Sequence, residues 1–165
     1  MGKSFAVVAL LVSAFCFSSV LARKAPPTGE EFFVEGKIYC DPCRFEFESR
    51  LSHPLSGVKV TLECKKPDSD NVTYVKDVVT DTNGIYSIPV HGDHEEEICD
   101  VNAGESPNGE CNESMKNQAD RIVLTKNMGV SSLKRYVNPL GFKTQAVDPQ
   151  CFSVFKELGL DNLDD

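Results

Sequence analysis

Glu35-Gly36-Lys37-Ile38-Tyr39-Cys40-Asp41-Pro42-Cys43-Arg44 decides how this chain is read, because it sets two cysteines three positions apart at the end of a strand-like segment. Three chemistries use such a pair: a redox dithiol, half of a metal site, or two anchors for separate disulfides. A redox pair needs a thiol that ionises easily, normally at a helix N-terminus. Here the preceding residues read as a strand and the following ones do not read as a helix, and no βαβ context surrounds them. A zinc site needs a second ligand pair at comparable spacing. His91 and His94 are separated by only two residues within an acidic stretch, and the other cysteines are scattered singly. The remaining reading ties each thiol to a different distant cysteine.

The compartment bears on that choice. Lys3 precedes an apolar run from Ser4 to Leu21, and Val20-Leu21-Ala22 offers the small or aliphatic residues a signal peptidase accepts. Residues 1–22 are therefore predicted to be a removable secretory signal. Ser13, Ser18 and Ser19 interrupt the run, which argues against a retained membrane anchor. Residues 23–30, with Pro26, Pro27 and Gly29, read as a flexible leader, and residues 31–165 as one domain with a short acidic tail. Without the signal the chain keeps 16 Lys/Arg against 25 Asp/Glu and six cysteines: Cys40, Cys43, Cys64, Cys99, Cys111 and Cys151. An even number in a secreted chain predicts a disulfide framework, although six cysteines allow 15 pairings. The acidity argues against nucleic acid or anionic membranes as partners.

Outward from the opening stretch, Phe33 to Tyr39, Gly57 to Cys64, Asn71 to Thr80, Ile85 to Val90, Glu97 to Ala103 and Arg121 to Thr125 read as strands. Phe45 to Pro54 reads as a loop and Gly104 to Asn117 as a linker. Asp81-Thr82-Asn83-Gly84 carries the Asn-Gly pair of a tight hairpin between its two flanking strands. At the end, Cys151, Val154, Phe155 and Leu158 share a helical face, and Gly159 follows as a stop. The fold class is mainly β: a disulfide-linked antiparallel β-sandwich or barrel with a short C-terminal helix.

Catalytic patterns are missing from the sequence. There is no Gly-x-Ser-x-Gly elbow, no His-Glu-x-x-His and no phosphate-cradling glycine loop. The residues thus predict no enzyme, no catalytic or metal-binding set and no cofactor. His91 and His94 read as members of a solvated loop, with weak divalent-cation binding through Asp93 and Glu95 to Glu97 as the alternative worth testing. Two sequons are intact, Asn71-Val72-Thr73 and Asn112-Glu113-Ser114. Asn71 is the better acceptor, because Asn112 directly follows Cys111 and early disulfide formation would block it.

The opening stretch resembles the signature of the Ole e I family of secreted plant proteins, which includes pollen allergens related to the major olive pollen allergen. The order of the six cysteines, Asp93-His94-Glu95-Glu96-Glu97-Ile98-Cys99, Asn138-Pro139-Leu140-Gly141-Phe142 and Cys151 extend the resemblance over roughly Phe32 to Leu160. Ile38 stands where the family commonly has Val. The resemblance implies the pairing Cys40–Cys111, Cys43–Cys151 and Cys64–Cys99. It also implies a secreted, non-enzymatic protein of the extracellular space or cell wall, acting as a signalling ligand or wall-associated factor in pollen development, hydration or pollen tube growth. Its expected partner is a receptor-like kinase ectodomain or a cell-wall component. The alternatives are a disulfide oxidoreductase using Cys40 and Cys43, or a structural wall protein.

Overall fold

The computed structural model describes residues 31–116 and 119–160, so the predicted signal and leader lie outside the described residues. Among the described residues, ten strands and one helix follow in order: β1 (Glu31–Asp41), β2 (His53–Pro54), β3 (Lys59–Lys65), β4 (Val72–Val79), β5 (Ile85–His91), β6 (Ile98–Ala103), β7 (Cys111–Ser114), β8 (Ala119–Ile122), β9 (Lys134–Tyr136), β10 (Leu140–Thr144) and α1 (Cys151–Glu157).

Two sheets pack face to face, and neither closes into a barrel. One runs β4-β3-β6-β8; the other is built around β1, with β2, β5, β7, β9 and β10. A single apolar cluster joins them, with Phe32, Val34 and Ile38 of β1 and Tyr86, Ile88 and Val90 of β5 from one sheet. Val60 and Leu62 of β3 and Val101 of β6 come from the other. The period-two alternation of β3, β5 and β6 delivers these side chains to one face, since successive residues of a strand point to opposite sides.

β1 divides its partners along its length. Glu31 to Lys37 pairs antiparallel with β5, and Phe33 to Glu35 pairs parallel with β9. From Ile38 to Asp41 the strand pairs instead with β10, in parallel, and with β2. The sheet is therefore mixed, where an antiparallel one is predicted. Gly36 sits just before this change of partners: a Cβ there would lie within 2.5 Å of Tyr86 Cζ, so the position needs glycine for close approach.

The Asp81–Gly84 turn forms, but it is not a hairpin. Gly84 N–H donates to the Asp81 carbonyl at 3.0 Å, and Asp81 Oδ1 accepts from the N–H groups of Asn83 and Ile85. Yet β4 pairs with β3 and β5 with β1, so the turn carries the chain from one sheet to the other. Bonds on either side explain this. Thr80 N–H donates to the Val58 carbonyl, its hydroxyl donates to the Leu55 carbonyl, and Ile38 N–H donates to the Gly84 carbonyl. Gly84 has φ +71° and a Cβ there would strike the Ile38 carbonyl oxygen, so glycine is required on both counts.

Other boundaries also shift. The segment predicted as a linker contains β7, held against β10. β8 ends at Ile122, where Arg121 to Thr125 is predicted, because the next carbonyls bond elsewhere: Leu124 accepts from His94 N–H and Thr125 from Arg135 Nη2. α1 buries Cys151 and Val154, Gly159 terminates it at φ +67°, and Leu158, predicted to share the buried face, is exposed.

Candidate functional site

The loop that follows β1 is organised by one carboxylate. Asp41 is fully buried, and its Oδ1 accepts the Cys43 N–H at 2.9 Å while its Oδ2 accepts the Glu46 N–H at 2.8 Å. Pro42 supplies no donor, so these two bonds turn the chain sharply at the strand end. Arg44 and Glu46 both adopt left-handed backbone, with φ +61° and +63°. Such conformations cost about 1–3 kcal/mol each in non-glycine residues and persist where surrounding contacts fix them.

Those contacts are covalent and ionic. Cys40 is bonded to Cys111, at the start of β7, and Cys43 to Cys151, the first residue of α1, with Cα separations of 6.0 and 5.3 Å. Cys64 is bonded to Cys99 across the β3–β6 ladder, with Cα atoms 4.0 Å apart. Arg44 donates both Nη groups to the Glu113 carboxylate at 2.7 Å and a further bond to the Thr144 carbonyl. Lys143 Nζ lies 3.1 Å from Glu46 Oε1 and 3.4 Å from Glu113 Oε1. The Arg44 hydrogen bonds, aided by those of Lys143, hold the Glu113 carboxyl down to about 2. Neither Cys40 nor Cys43 is a free thiol here, so the loop has no resting dithiol to exchange.

Two surfaces adjoin this loop. Tyr39, Glu46, Met115, Asp120 and Asn138 to Gly141 line a cavity of about 230 Å³. The Tyr39 hydroxyl points to Met115 Sδ at 3.8 Å; burial, then the carboxylates of Asp41, Glu48 and Glu46, push its pKa up to about 12. It stays protonated and is no base. The second surface is aromatic. Phe45 stacks on Phe47 at 5.3 Å and meets Phe155 of α1 at 6.3 Å, while Phe152 on the same helix is 67% exposed. Arg50 ties the loop to the helix through Glu157 at 2.9 Å and the Ser153 hydroxyl. The loop thus presents Phe47 to solvent, and the helix tied to it presents Phe152.

The remaining predicted residues lie elsewhere. Asn71 is exposed just before β4, and the hydroxyl of its sequon partner Thr73 donates to the Cys64 carbonyl at 3.0 Å. Asn112 is exposed on β7, one residue beyond the Cys40–Cys111 bridge. His91 fits the solvated reading, being 66% exposed and 3.4 Å from Glu31. His94 does not: its side chain is only 11% exposed, packed 5.0 Å from the Tyr74 ring. Asp93, Glu95 and Glu96 form no common site with it. Asp93 Oδ1 accepts the Glu95 N–H, Glu95 accepts from the Asn127 amide, and Glu97 alone turns inward to His94.

The family described as "Pollen protein Ole e 1 like" matches residues 30–159. This chain belongs to the Ole e 1-like family of pollen proteins. It is 43% identical over 169 residues to "Olee1-like protein" of Betula pendula, an alignment covering 100% of this chain and 98% of that one. It is 40% identical over 152 residues to "Anther-specific protein LAT52" of Solanum lycopersicum, covering 92% and 94%. Among solved structures it resembles the major plantain pollen allergen Pla l 1, with a TM-score of 0.65 and 30% identity over 74% of this chain and 100% of that one.

In this Ole e 1-like protein the opening stretch has a structural task at each side chain. Glu35 pairs with Lys134 at 2.9 Å, Lys37 with Glu48, and Ile38 enters the core. The ion pairs that fix this loop are invisible in sequence, because Glu113, which pairs with Arg44, and Lys143, which pairs with Glu46 and Glu113, lie far along the chain from it.

Proposed function

We propose that this protein is secreted and acts outside the cell as a non-enzymatic ligand in pollen hydration or pollen tube growth, by binding a receptor-like kinase ectodomain or a cell-wall component. The observation that carries this reading is near full-length similarity to pollen and anther proteins, on a domain held by three disulfides. Disulfides persist in oxidising compartments, which supports an extracellular site of action. The exposed rings of Phe47 and Phe152 support a binding role, since aromatic side chains contribute much contact area at low entropic cost.

The test is retention of pollen receptor ectodomains and wall polymers by the folded, glycosylated protein. Saturable retention that falls more than tenfold in Phe152→Ala, with thermal stability unchanged, supports the reading. Failure to retain any ectodomain or polymer overturns it.

A further inference from the structure

The chain holds two Asn-Gly pairs, Asn83-Gly84 and Asn108-Gly109. An asparagine followed by glycine readily loses its side-chain amide, because no Cβ on the next residue hinders attack of that residue's backbone nitrogen on Cγ. The attack needs a backbone N–H free to give up its proton and a peptide unit free to turn toward the side chain. The fold treats the two pairs in opposite ways.

At the first pair both freedoms are lost. Gly84 N–H donates to the Asp81 carbonyl, and the Gly84 carbonyl accepts from Ile38 N–H at 2.8 Å. The Ile38 carbonyl oxygen and the Leu55 nitrogen crowd Gly84 on the side a Cβ would take. Turning this peptide breaks the bonds that carry the chain from one sheet to the other. At the second pair, Gly109 is exposed and has open space where a Cβ would stand. Three bonds bracket its N–H without engaging it. Asn108 N–H donates to Ser106 Oγ at 3.2 Å, Cys111 N–H to the Asn108 carbonyl at 3.1 Å, and Glu110 N–H to Asn108 Oδ1 at 3.0 Å. The last of these donors is aimed at the oxygen on which negative charge builds as Cγ is attacked. It also survives ring closure, since the imide keeps that oxygen as a carbonyl.

We propose that Asn108 is a site of spontaneous deamidation in the folded protein, while Asn83 is protected by its turn. The Gly109 nitrogen gives its proton to hydroxide and bonds to Asn108 Cγ; the Cγ–Nδ2 bond breaks, and Nδ2 leaves as ammonia with a proton from water. Water then opens the cyclic imide at either carbonyl, leaving aspartate or isoaspartate at position 108, and no oxidant or reductant takes part. Either product adds a carboxylate beside Glu110. Gly109 and Glu110 line, with Pro42, His53, Thr144 and Val147, a groove of about 570 Å³ next to the β1 loop, so the new charge alters the surface there. In the isoaspartate product the backbone runs through Cγ and gains a methylene just ahead of Cys111, which stays bonded to Cys40.

The experiment ages the full, disulfide-bonded chain at about pH 8 in water enriched in oxygen-18, with peptide mapping to locate the label and protein isoaspartate methyltransferase as a second readout. Label and methylation are expected at position 108 about tenfold or more faster than at position 83, where the turn must first open. Reduced and held in guanidinium chloride, the chain should convert both asparagines at rates within about twofold, because the structure that separates them is gone. Gly109→Ala, for which there is room, should fold as the wild type does and suppress conversion at position 108. Conversion of Asn83 in the folded chain as fast as that of Asn108, no conversion of Asn108 in the folded chain, or a difference between the two that persists in guanidinium chloride overturns the proposal.

Discussion

Asp41→Asn tests the organisation of the β1 loop with the smallest change of shape. The carboxylate accepts two backbone N–H groups, from Cys43 and Glu46, in a fully buried setting. Asparagine keeps one acceptor oxygen and sets an NH₂ against the other donor. One charge-assisted bond, worth about 1.5–3 kcal/mol, is lost, and a buried N–H is left unmet at about 1–3 kcal/mol. Relief from burying a charge offsets part of this. The expected net loss is about 2–3 kcal/mol, with Asp41→Ala losing more because neither bond survives. Urea unfolding with disulfides intact should show the midpoint falling at constant slope. With Arg44 and Glu46 released from left-handed backbone, trypsin should cut after Arg44 faster than in the wild type. An Asp41→Asn protein within 0.5 kcal/mol of wild type, with unchanged cleavage, would refute the reasoning.

Three further outcomes follow from particular contacts. Gly36→Ala forces Tyr86 out of a packed core and should cost about 1–3 kcal/mol, with non-additive recovery in Gly36→Ala/Tyr86→Leu measured by thermal unfolding. The Glu113 pKa is depressed to about 2, so its stabilising share is fully present above the unfolded glutamate value of about 4.3 and fades as pH falls toward 2. The stability gap between wild type and Glu113→Gln should therefore be flat above pH ~5 and close below it; a gap constant down to pH 2 contradicts the pairing. Replacing Cys43 and Cys151 together by Ser removes a bridge spanning 108 residues and should cost about 4–5 kcal/mol on chain-entropy grounds, read as a lower denaturation midpoint.

Which parts were legible in the sequence follows from how far each contact reaches. β3, β5 and β6 alternate because one face is buried and the other wet, so their pattern is local. β10 could not be read this way: Leu140 to Lys143 are all buried, since the strand lies beside β1 and β7 with both faces covered. The turn at Gly84 was legible as a turn and misread as a hairpin, because turn chemistry is local while the choice of sheet is made by Thr80 and Ile38 bonding to distant chain. The loop motif announced its cysteines, whereas the acceptor role of Asp41 and the approach of Glu113, Lys143 and Met115 come only with the folded loop and the topology. His94 read as solvated because its neighbours are acidic, yet the Leu124 carbonyl and Tyr74 ring that draw it inward are far away in sequence.

Cys40 and Cys43 fasten one strand end to two distant elements and do not form a dithiol pair. Peptide mapping of the unreduced, secreted protein by mass spectrometry tests it most directly. Cys40–Cys111 and Cys43–Cys151 peptides are expected, with Cys64–Cys99 completing the set. A Cys40–Cys43 bridge as the principal species would contradict it.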